Sequence, residues 1–177
     1  EAEDKTIASL KHLIETINSP GKIESNLRVV LVGETLAKFT EPDAHRDYFV
    51  HMKRLFNAIA SDIADQVGAT AILTGENLGQ VSSQTLGNLG AVEEASRFRI
   101  LRPLLGLDKQ EIIDEARVLG TYEISTGPEL CDALGPERPT TVADLTRLRE
   151  NEKIQGGLNQ LAKICLNSLR MRSLSSE

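Results

Sequence analysis

The sequence predicts an α/β fold in which helices cover a parallel sheet, and three observations lead to it. Short apolar runs of strand length alternate with longer segments whose apolar residues recur at helical spacing. A polar loop follows the apolar run that ends at Leu73, as ligand-binding loops follow the strands of open parallel sheets. Aromatic residues make up only 3% of the chain, so aliphatic side chains must build the core. Because few strands are recognisable, we expect the later part of such a domain, incomplete at its N-terminal side.

The first half of the chain contains two predicted helices and two predicted strands. In order, they are a helix over residues 7–17, a buried strand over 27–33, a long helix over 43–67 and a strand over 69–73. The first helix is expected to end near Ser19, because a proline and a glycine follow it directly. A loop is expected after the first strand, extending through Phe39.

The second half is predicted to be mainly helical. In order, it contains a short strand over residues 98–101, a helix over 108–119, an irregular stretch over 121–139 and helices over 141–154 and 158–169. Asp108 and Glu111 form the capping-box pattern of a helix start, and Gly120 stands where a helix-ending glycine belongs. We expect the apolar residues of that helix, from Ile112 to Leu119, to face inward and residues 173–177 to be frayed.

Composition narrows the class of protein. A formal net charge of -6 argues against binding nucleic acid through bulk electrostatics, although a local basic patch stays open. Two cysteines are too few for a secreted disulfide framework, and no apolar run reaches the length of a membrane span. We therefore expect a cytoplasmic protein with no membrane partner. Three scattered histidines and two cysteines provide no zinc-type spacing, so no metal ligand is predicted in this chain.

The loop over residues 74–85 is the most informative segment. It combines paired glycines with hydroxyl and amide side chains, which can hydrogen-bond to a ligand while the backbone approaches closely. A simple surface connection is the alternative interpretation. Cations near the loop make an anionic ligand plausible, with the four arginines as candidate phosphate or RNA contacts, although each cation taken alone is most simply a solvated surface charge. These cations are Lys53, Arg54, Arg97, Arg99 and Arg102.

Two further side chains are candidates for chemistry. Lys109 lies in the first turn of a capped helix, where the helix dipole disfavours a cation by about 0.3–1 kcal/mol. It is either a solvated lysine or an ammonium directed at a bound phosphate, and the local pattern does not choose between them. Cys131 lies in a polar loop, where a thiol is either a small buried side chain or a nucleophile. Cys165, among aliphatic residues, is predicted to pack in the core.

Three segments together carry a family resemblance. They are TGENLGQVSSQTLGNL from Thr74, ILRPLLGLDKQEII from Ile100, and GTYEIS from Gly120, with Cys131 shortly after. In this order and at this spacing they resemble the tRNA 4-thiouridine synthetases. That family is also called tRNA sulfurtransferases, is linked to thiamine biosynthesis, and belongs to the PP-loop pyrophosphatases of the adenine-nucleotide α-hydrolase fold. The likeness runs from about Lys53 to Cys131.

The resemblance implies a reaction and its participants. ATP, with Mg²⁺, adenylates the carbonyl oxygen of a tRNA uridine, and a persulfide sulfur then displaces AMP. A cysteine desulfurase or another persulfide donor is the implied protein partner. By resemblance, Lys53, Gly75 and Gln84 match nucleotide-contacting positions. Lys109 matches a lysine needed for adenylation, and Cys131 matches the cysteine that receives or relays sulfur.

The sequence also departs from the family pattern. It contains no Ser-Gly-Gly-x-Asp-Ser loop, no THUMP module and no rhodanese domain. We therefore expect residues 1–139 to be the C-terminal portion of a PP-loop domain, residues 140–177 to be a helical extension, and the chain to be inactive alone. The alternative is a non-catalytic PP-loop remnant that binds nucleotide, RNA or a protein partner. Another PP-loop amidating or thiolating enzyme is a third interpretation. A homodimer would cover the exposed edge of a truncated sheet.

Overall fold

A computed structural model of the chain describes residues 2–16, 25–79, 81–126 and 134–174. The described α-helices are α1 (Ala2–Thr16), α2 (Gly33–Ala37), α3 (Pro42–His45), α4 (Tyr48–Val67), α5 (Leu86–Glu93), α6 (Lys109–Val118), α7 (Tyr122–Ser125), α8 (Leu145–Ile154) and α9 (Leu158–Leu166). The described strands are β1 (Ser25–Val29), β2 (Ala71–Leu73), β3 (Arg99–Leu101) and β4 (Arg170–Leu174), and short 3₁₀ turns occupy Lys38–Thr40 and Ser82–Gln84.

The chain divides into two compact units. Unit 1 comprises Glu1–Val30, Leu107–Leu130 and Ser168–Glu177. Unit 2 comprises Leu31–Gly106 and Cys131–Asn167. Unit 1 therefore contains α1, β1, α6, α7 and β4, and unit 2 contains the other described elements.

In unit 1, the first strand lies in an antiparallel pair, whereas the sequence predicted a strand of a parallel sheet. β1 pairs with β4 in an antiparallel ladder that runs from Ser25↔Leu174 to Val29↔Arg170. The prediction of a buried strand over 27–33 is therefore wrong in its extent, because α2 begins at Gly33 and a 3₁₀ turn follows where a loop was expected. The predicted fraying also fails at residues 173 and 174, since Leu174 is buried within β4. Residues 175–177 lie outside the described residues.

Helix α6 forms as predicted but buries less than expected. Asp108 Oδ1 accepts a hydrogen bond from the Gln110 amide at 2.7 Å, and Glu111 Oε2 accepts one from the Asp108 amide at 2.6 Å. Ile112, Ile113 and Ala116 are half-buried while the rest of α6 is exposed, so the predicted apolar face points inward, although no α6 residue is fully buried and Leu119 is exposed. Gly120 follows with φ 71°, and a Cβ there would meet His12 Nε2 at 2.5 Å. Glycine is therefore required at this helix end.

In unit 2, two parallel strands stand beside a long central helix. β2 pairs with β3 in the register Ala71↔Arg99 to Leu73↔Leu101, which confirms both predicted strands within a residue or two. Helix α4 carries more buried residues than any other described helix or strand, among them Leu55 and Ala58. Helices α5 and α9 pack along it. The core is aliphatic, as the composition predicted.

The long helix predicted over residues 43–67 is broken near its start. Helix α3 ends at His45, and α4 begins at Tyr48. Between them, the buried carboxylate of Asp47 accepts two hydrogen bonds from the Arg147 guanidinium, at 2.7 and 3.0 Å. This ion pair fixes the break, because Asp47 is oriented toward α8 and makes no side-chain cap on α4.

The two predicted C-terminal helices are present as α8 and α9, joined at Gly156-Gly157. Cys165 on α9 is buried and donates to Thr35 Oγ1 at 3.2 Å, so it packs in the core as predicted. α9 packs against α4 and is part of unit 2. The division of a larger domain at residue 139 stays a prediction. None of the described helices is long and apolar enough to cross a lipid bilayer.

Candidate functional site

The polar loop follows the C-terminal end of β2, as predicted. The Thr74 amide donates to the Leu101 carbonyl at 3.0 Å, so the ladder between β2 and β3 continues into the loop. The Leu78 amide donates to the Leu105 carbonyl at 3.1 Å, which ties the loop to the segment after β3. Gly79 then turns the chain with φ 77°, and its amide donates to the Gln84 carbonyl. Two neighbouring strand ends therefore hold the loop at one edge of the parallel pair.

Amide side chains fix the inner part of the loop. The backbone N–H of Asn77 donates to the side-chain Oε1 of Gln84 at 3.1 Å. The side-chain Nδ2 of Asn77 donates to the Leu104 carbonyl at 2.7 Å. Asn88, which is fully buried, donates to the carbonyls of Ser82 and Thr140 at 2.7 and 3.0 Å. The side chains that suggested ligand binding thus also build the loop itself.

A buried carboxylate lies inside the loop. Glu76 is only 4% exposed, and its Oε2 accepts hydrogen bonds from Arg102 Nε at 2.9 Å and Thr74 Oγ1 at 3.2 Å. Its Oε1 lies 3.7 Å from Lys53 Nζ. Burial alone would lower the pKa of Arg102, but hydrogen bonds to Glu93 and Glu76 raise that pKa above its usual value. The cluster is therefore a chain of alternating charges, with Lys53 at its partly exposed end.

Gly75 lies between Thr74 and Glu76, two residues of this cluster, and its backbone is open to approach by another molecule. It is exposed, and a Cβ built on it would meet no atom within 4 Å. Its φ is not in the left-handed region, so the conformation itself does not demand glycine. The absence of a side chain instead leaves the peptide accessible to another molecule.

The structure brings three of the predicted site residues to one place. Lys53 contacts Glu76, which directly follows Gly75, and Gln84 holds the amide of Asn77. All three lie around the loop in unit 2. That they contact a nucleotide stays a prediction. The described residues contain no group of three or more His, Cys, Asp or Glu side chains placed to hold a metal ion.

The predicted arginine contacts separate into different environments. Arg54 is buried, with Glu152 accepting from its Nε and Nη2 at 2.5 and 3.0 Å, and Glu94 accepting from Nη1 at 2.8 Å. The interpretation of Arg54 as a solvated charge is therefore wrong, and as a ligand contact it would have to leave this network. Arg97 is exposed and paired with Asp62 and Asp65. Arg99 is exposed on β3.

A cleft of about 550 Å³ lies beside the Arg54 network in unit 2. Arg54, Arg97 and Lys163 contribute cations to its lining, and Glu94 and Glu152 contribute carboxylates. Burial alone would raise the pKa of Glu152, but His51 Nδ1, 3.5 Å away, and the hydrogen bonds from Arg54 hold that pKa below its usual range. Both Arg54 and Arg97 are bonded to carboxylates, so the cleft presents no strong excess of positive charge.

The structure tests the role of neither predicted catalytic residue. Lys109 is exposed at the first position of α6 in unit 1, and it forms no ion pair with any residue within the described ranges. Cys131 lies outside the described residues. Their roles in adenylation and sulfur transfer stay predictions.

Sequence reasoning missed Glu76. The loop was interpreted as a source of uncharged hydrogen-bonding groups, yet one of its buried members is this carboxylate. A signal was present, because a single acidic residue follows one strand and Arg102 directly follows the next. Side chains at the same ends of neighbouring parallel strands lie close together. The Arg54–Glu152 pair gave no such signal, since its partners lie 98 residues apart.

Comparison with solved structures defines the class of protein. The chain superimposes on a crystal structure of a 4-thiouridine synthetase–RNA complex with bound ATP with a TM-score of 0.85 and 28% sequence identity. The match covers 98% of this chain and 45% of that chain. The chain therefore has the α/β fold of the PP-loop type, as predicted.

Sequence comparison gives the family. Residues 1–155 match the family described as "Thiamine biosynthesis protein (ThiI)". This chain belongs to that family. It is 47% identical over 105 residues to a tRNA sulfurtransferase of Psychromonas ingrahamii (strain DSM 17664 / CCUG 51855 / 37) and 44% identical over 105 residues to one of Shewanella baltica (strain OS155 / ATCC BAA-1091). Each match covers 59% of this chain and only 22% of the relative's length.

Proposed function

We propose that this chain supplies the ATP-binding loop of a tRNA-thiolating enzyme. The observation that carries the proposal is the gathering of Lys53, Gly75 and Gln84 around one polar loop at the end of β2. Membership of the ThiI family supports it, and so does the likeness to a synthetase whose crystal structure holds both RNA and ATP. A ligand site at the carboxyl ends of parallel strands is also where this class of sheet binds ligands.

The residues of the loop suit an adenine nucleotide. Gly75 offers a backbone that a flat base or a sugar can approach, because no side chain stands in front of it. The Lys53 ammonium is 26% exposed and carries more N–H donors than its contact with Glu76 uses, so it can also face a phosphate oxygen. Gln84 keeps the loop in shape through the amide of Asn77. We assign Mg²⁺ to no side chain of this chain and expect it to arrive with ATP.

The reaction proposed for the complete protein has two steps. The carbonyl oxygen of a tRNA uridine attacks the α-phosphorus of ATP, and pyrophosphate leaves. A persulfide sulfur from a donor protein then attacks the adenylated carbon, and AMP leaves. A second thiol must then attack the carrier's sulfur of the resulting sulfur–sulfur bond, so that the outer sulfur stays on the uridine and a disulfide forms on the carrier. We assign Lys109 to stabilising the developing phosphate charge and Cys131 to receiving or relaying the sulfur.

Pyrophosphate release from the complete protein tests this proposal. With ATP and unmodified tRNA, we expect pyrophosphate to form, and AMP and 4-thiouridine to appear once a persulfide donor is added. A tRNA with cytidine in place of the target uridine is the matched control and should release no pyrophosphate above background. Adenylation of a small carboxylic acid, with no response to tRNA, would instead favour another PP-loop enzyme.

A second candidate function is a non-catalytic protein that binds nucleotide, RNA or a protein partner. It is favoured by one observation, that the 177 residues contain no Ser-Gly-Gly-x-Asp-Ser segment. Binding of ATP without any pyrophosphate release, with uridine-containing tRNA and a persulfide donor present, would support this candidate over the first.

A further inference from the structure

We propose that Glu76 is a positioning residue of the nucleotide site, and that it acts by holding the Lys53 ammonium and the Gly75 backbone in place. This inference rests on the proposed function and adds to it a residue that contacts no substrate. Arg102, interpreted from the sequence as a phosphate or RNA contact, becomes the support of Glu76. The proposal follows from the arrangement of charges around the loop.

The first step is the burial of Glu76. A carboxylate that is 4% exposed loses most of its hydration, and it stays charged only if cations and donors replace the water. Three groups do so here, from three different places in the chain. Lys53 comes from α4, Arg102 from the end of β3, and Thr74 from the loop itself. Glu76 therefore ties the loop to a helix and to the neighbouring strand.

The second step is the position of Arg102. Its side chain is 9% exposed, and its Nη1 donates to Glu93 at 2.7 Å while its Nε donates to Glu76. Its Nη2 is buried without a hydrogen-bond partner among the residues that the structure describes. An arginine so enclosed cannot meet a phosphate directly without rearrangement. Its buried contact through Nε instead fixes the orientation of the Glu76 carboxylate.

The Glu76 carboxylate affects ligand binding through Lys53 and Gly75. A lysine side chain has about 2 kcal/mol of rotamer entropy to lose when it is held in one place. The contact with Glu76 at 3.7 Å restricts the Lys53 ammonium before a ligand arrives. Because Gly75 lies between Thr74 and Glu76, the hydrogen bond joining those two side chains also restrains its peptide. Neutralising Glu76 should therefore loosen both predicted nucleotide contacts.

A double-mutant cycle in the complete protein tests this inference, with ATP affinity measured by calorimetry. We expect Glu76→Gln and Lys53→Met each to weaken ATP binding about tenfold, and the double variant to be no weaker than about the larger single effect. Such non-additivity is expected only if Glu76 acts through Lys53. Affinity for tRNA measured without ATP should change less than about twofold in all three variants.

Glu93→Gln is the matched control. It removes one negative charge from the same cluster and one contact of Arg102, but Glu93 is half exposed and bonds the Arg102 Nη1 atom rather than Lys53. We expect it to change ATP affinity less than about twofold, because exposed ion pairs contribute little. If Glu76→Gln fails to fold, judged by circular dichroism, Glu76→Asp replaces it. The aspartate keeps the charge but withdraws the carboxylate from Lys53, and we expect weakening in the same direction.

Three results would overturn the inference. They are wild-type ATP affinity in a folded Glu76 variant, additive effects of Glu76→Gln and Lys53→Met, or equal weakening by Glu93→Gln. If the wild-type protein itself binds no ATP, the proposed function fails and this inference fails with it. The wild-type titration therefore separates the two failures.

Discussion

At the scale of single residues, Arg54 is a buried structural cation. Its guanidinium bonds both oxygens of Glu152 and one of Glu94. Removing one partner of a buried ion pair leaves the other charge without compensation, which typically costs about 3–5 kcal/mol. We therefore predict that Arg54→Met lowers the free energy of unfolding, measured in urea, by about that amount.

Arg97→Met is the control for this prediction. Arg97 is 46% exposed and pairs with Asp62 and Asp65 at the surface, so its loss should cost less than about 1 kcal/mol. Equal decreases in the free energy of unfolding of the two variants would show that the buried ion pairs of Arg54 stabilise the fold no more than the exposed ion pairs of Arg97.

Gly75 can be tested separately from the charged cluster. Because a Cβ at this position would meet nothing within 4 Å, Gly75→Ala should leave the free energy of unfolding unchanged to within about 0.5 kcal/mol. We predict that it weakens ATP binding at least about fivefold, since the new methyl group stands where the ligand approaches. Gly33→Ala is the matched control, because Gly33 is also exposed and open. Unchanged ATP affinity in Gly75→Ala would remove Gly75 from the site.

At the scale of elements, α6 separates structural from chemical roles at adjacent residues. Asp108 caps the helix, so Asp108→Ala should cost about 1 kcal/mol and speed hydrogen exchange of the first-turn amides. Lys109 bonds no partner among the described residues, so Lys109→Ala should leave exchange unchanged. We predict that Lys109→Ala nevertheless abolishes pyrophosphate release by the complete protein. Near wild-type turnover in that variant would contradict the role assigned to Lys109.

The elements also indicate what local sequence can and cannot predict. The capping box and the Gly120 stop placed α6 correctly, because both signals lie within one turn of the helix ends. The partner of β1 was not predictable, because it is a strand about 145 residues further along the chain. The partner strand β4 contains two arginines, and its sequence shows no apolar pattern that would predict a strand. Likewise, the break before α4 depends on the ion pair between Asp47 and Arg147. These residues lie 100 positions apart, so the apolar periodicity around Asp47 does not indicate the break.

For the candidate site too, local sequence predicted some residues, and a residue defined by long-range contacts was missed. Lys53, Gly75 and Gln84 were found through the resemblance of the loop to a known family, and the structure places them around that loop. Glu76 was missed because its role depends on two cations that lie 23 residues before it and 26 residues after it. Packing between elements, rather than local pattern, creates such a group.

At the scale of the whole molecule, the charge network around Arg54 predicts an acid-sensitive fold. The hydrogen bonds from Arg54 and the nearby His51 ring outweigh burial and hold the pKa of Glu152 below its usual value near 4.5. Hydrogen bonds from Arg149 and Arg54 likewise outweigh burial and lower the pKa of Glu94. A carboxyl group whose pKa is lower in the folded state binds more protons when unfolded. Its stabilisation is therefore complete above about pH 4.5 and is lost as the pH falls through the folded-state value.

We predict that the free energy of unfolding, measured in urea, falls as the pH is lowered below about 4.5. Glu152→Gln should flatten this dependence, although it also lowers stability at neutral pH by leaving Arg54 without its main partner. An unchanged slope in that variant would contradict the assignment of the acid sensitivity to Glu152.

The central claim is that the loop after β2 binds ATP. A crystal structure of the complete protein with a non-hydrolysable ATP analogue tests it most directly. We predict that the nucleotide lies against the Gly75 backbone, within hydrogen-bond distance of Lys53 Nζ or the Gln84 amide. A nucleotide bound elsewhere in the protein, with the loop and Lys53 free of contact, would contradict the claim.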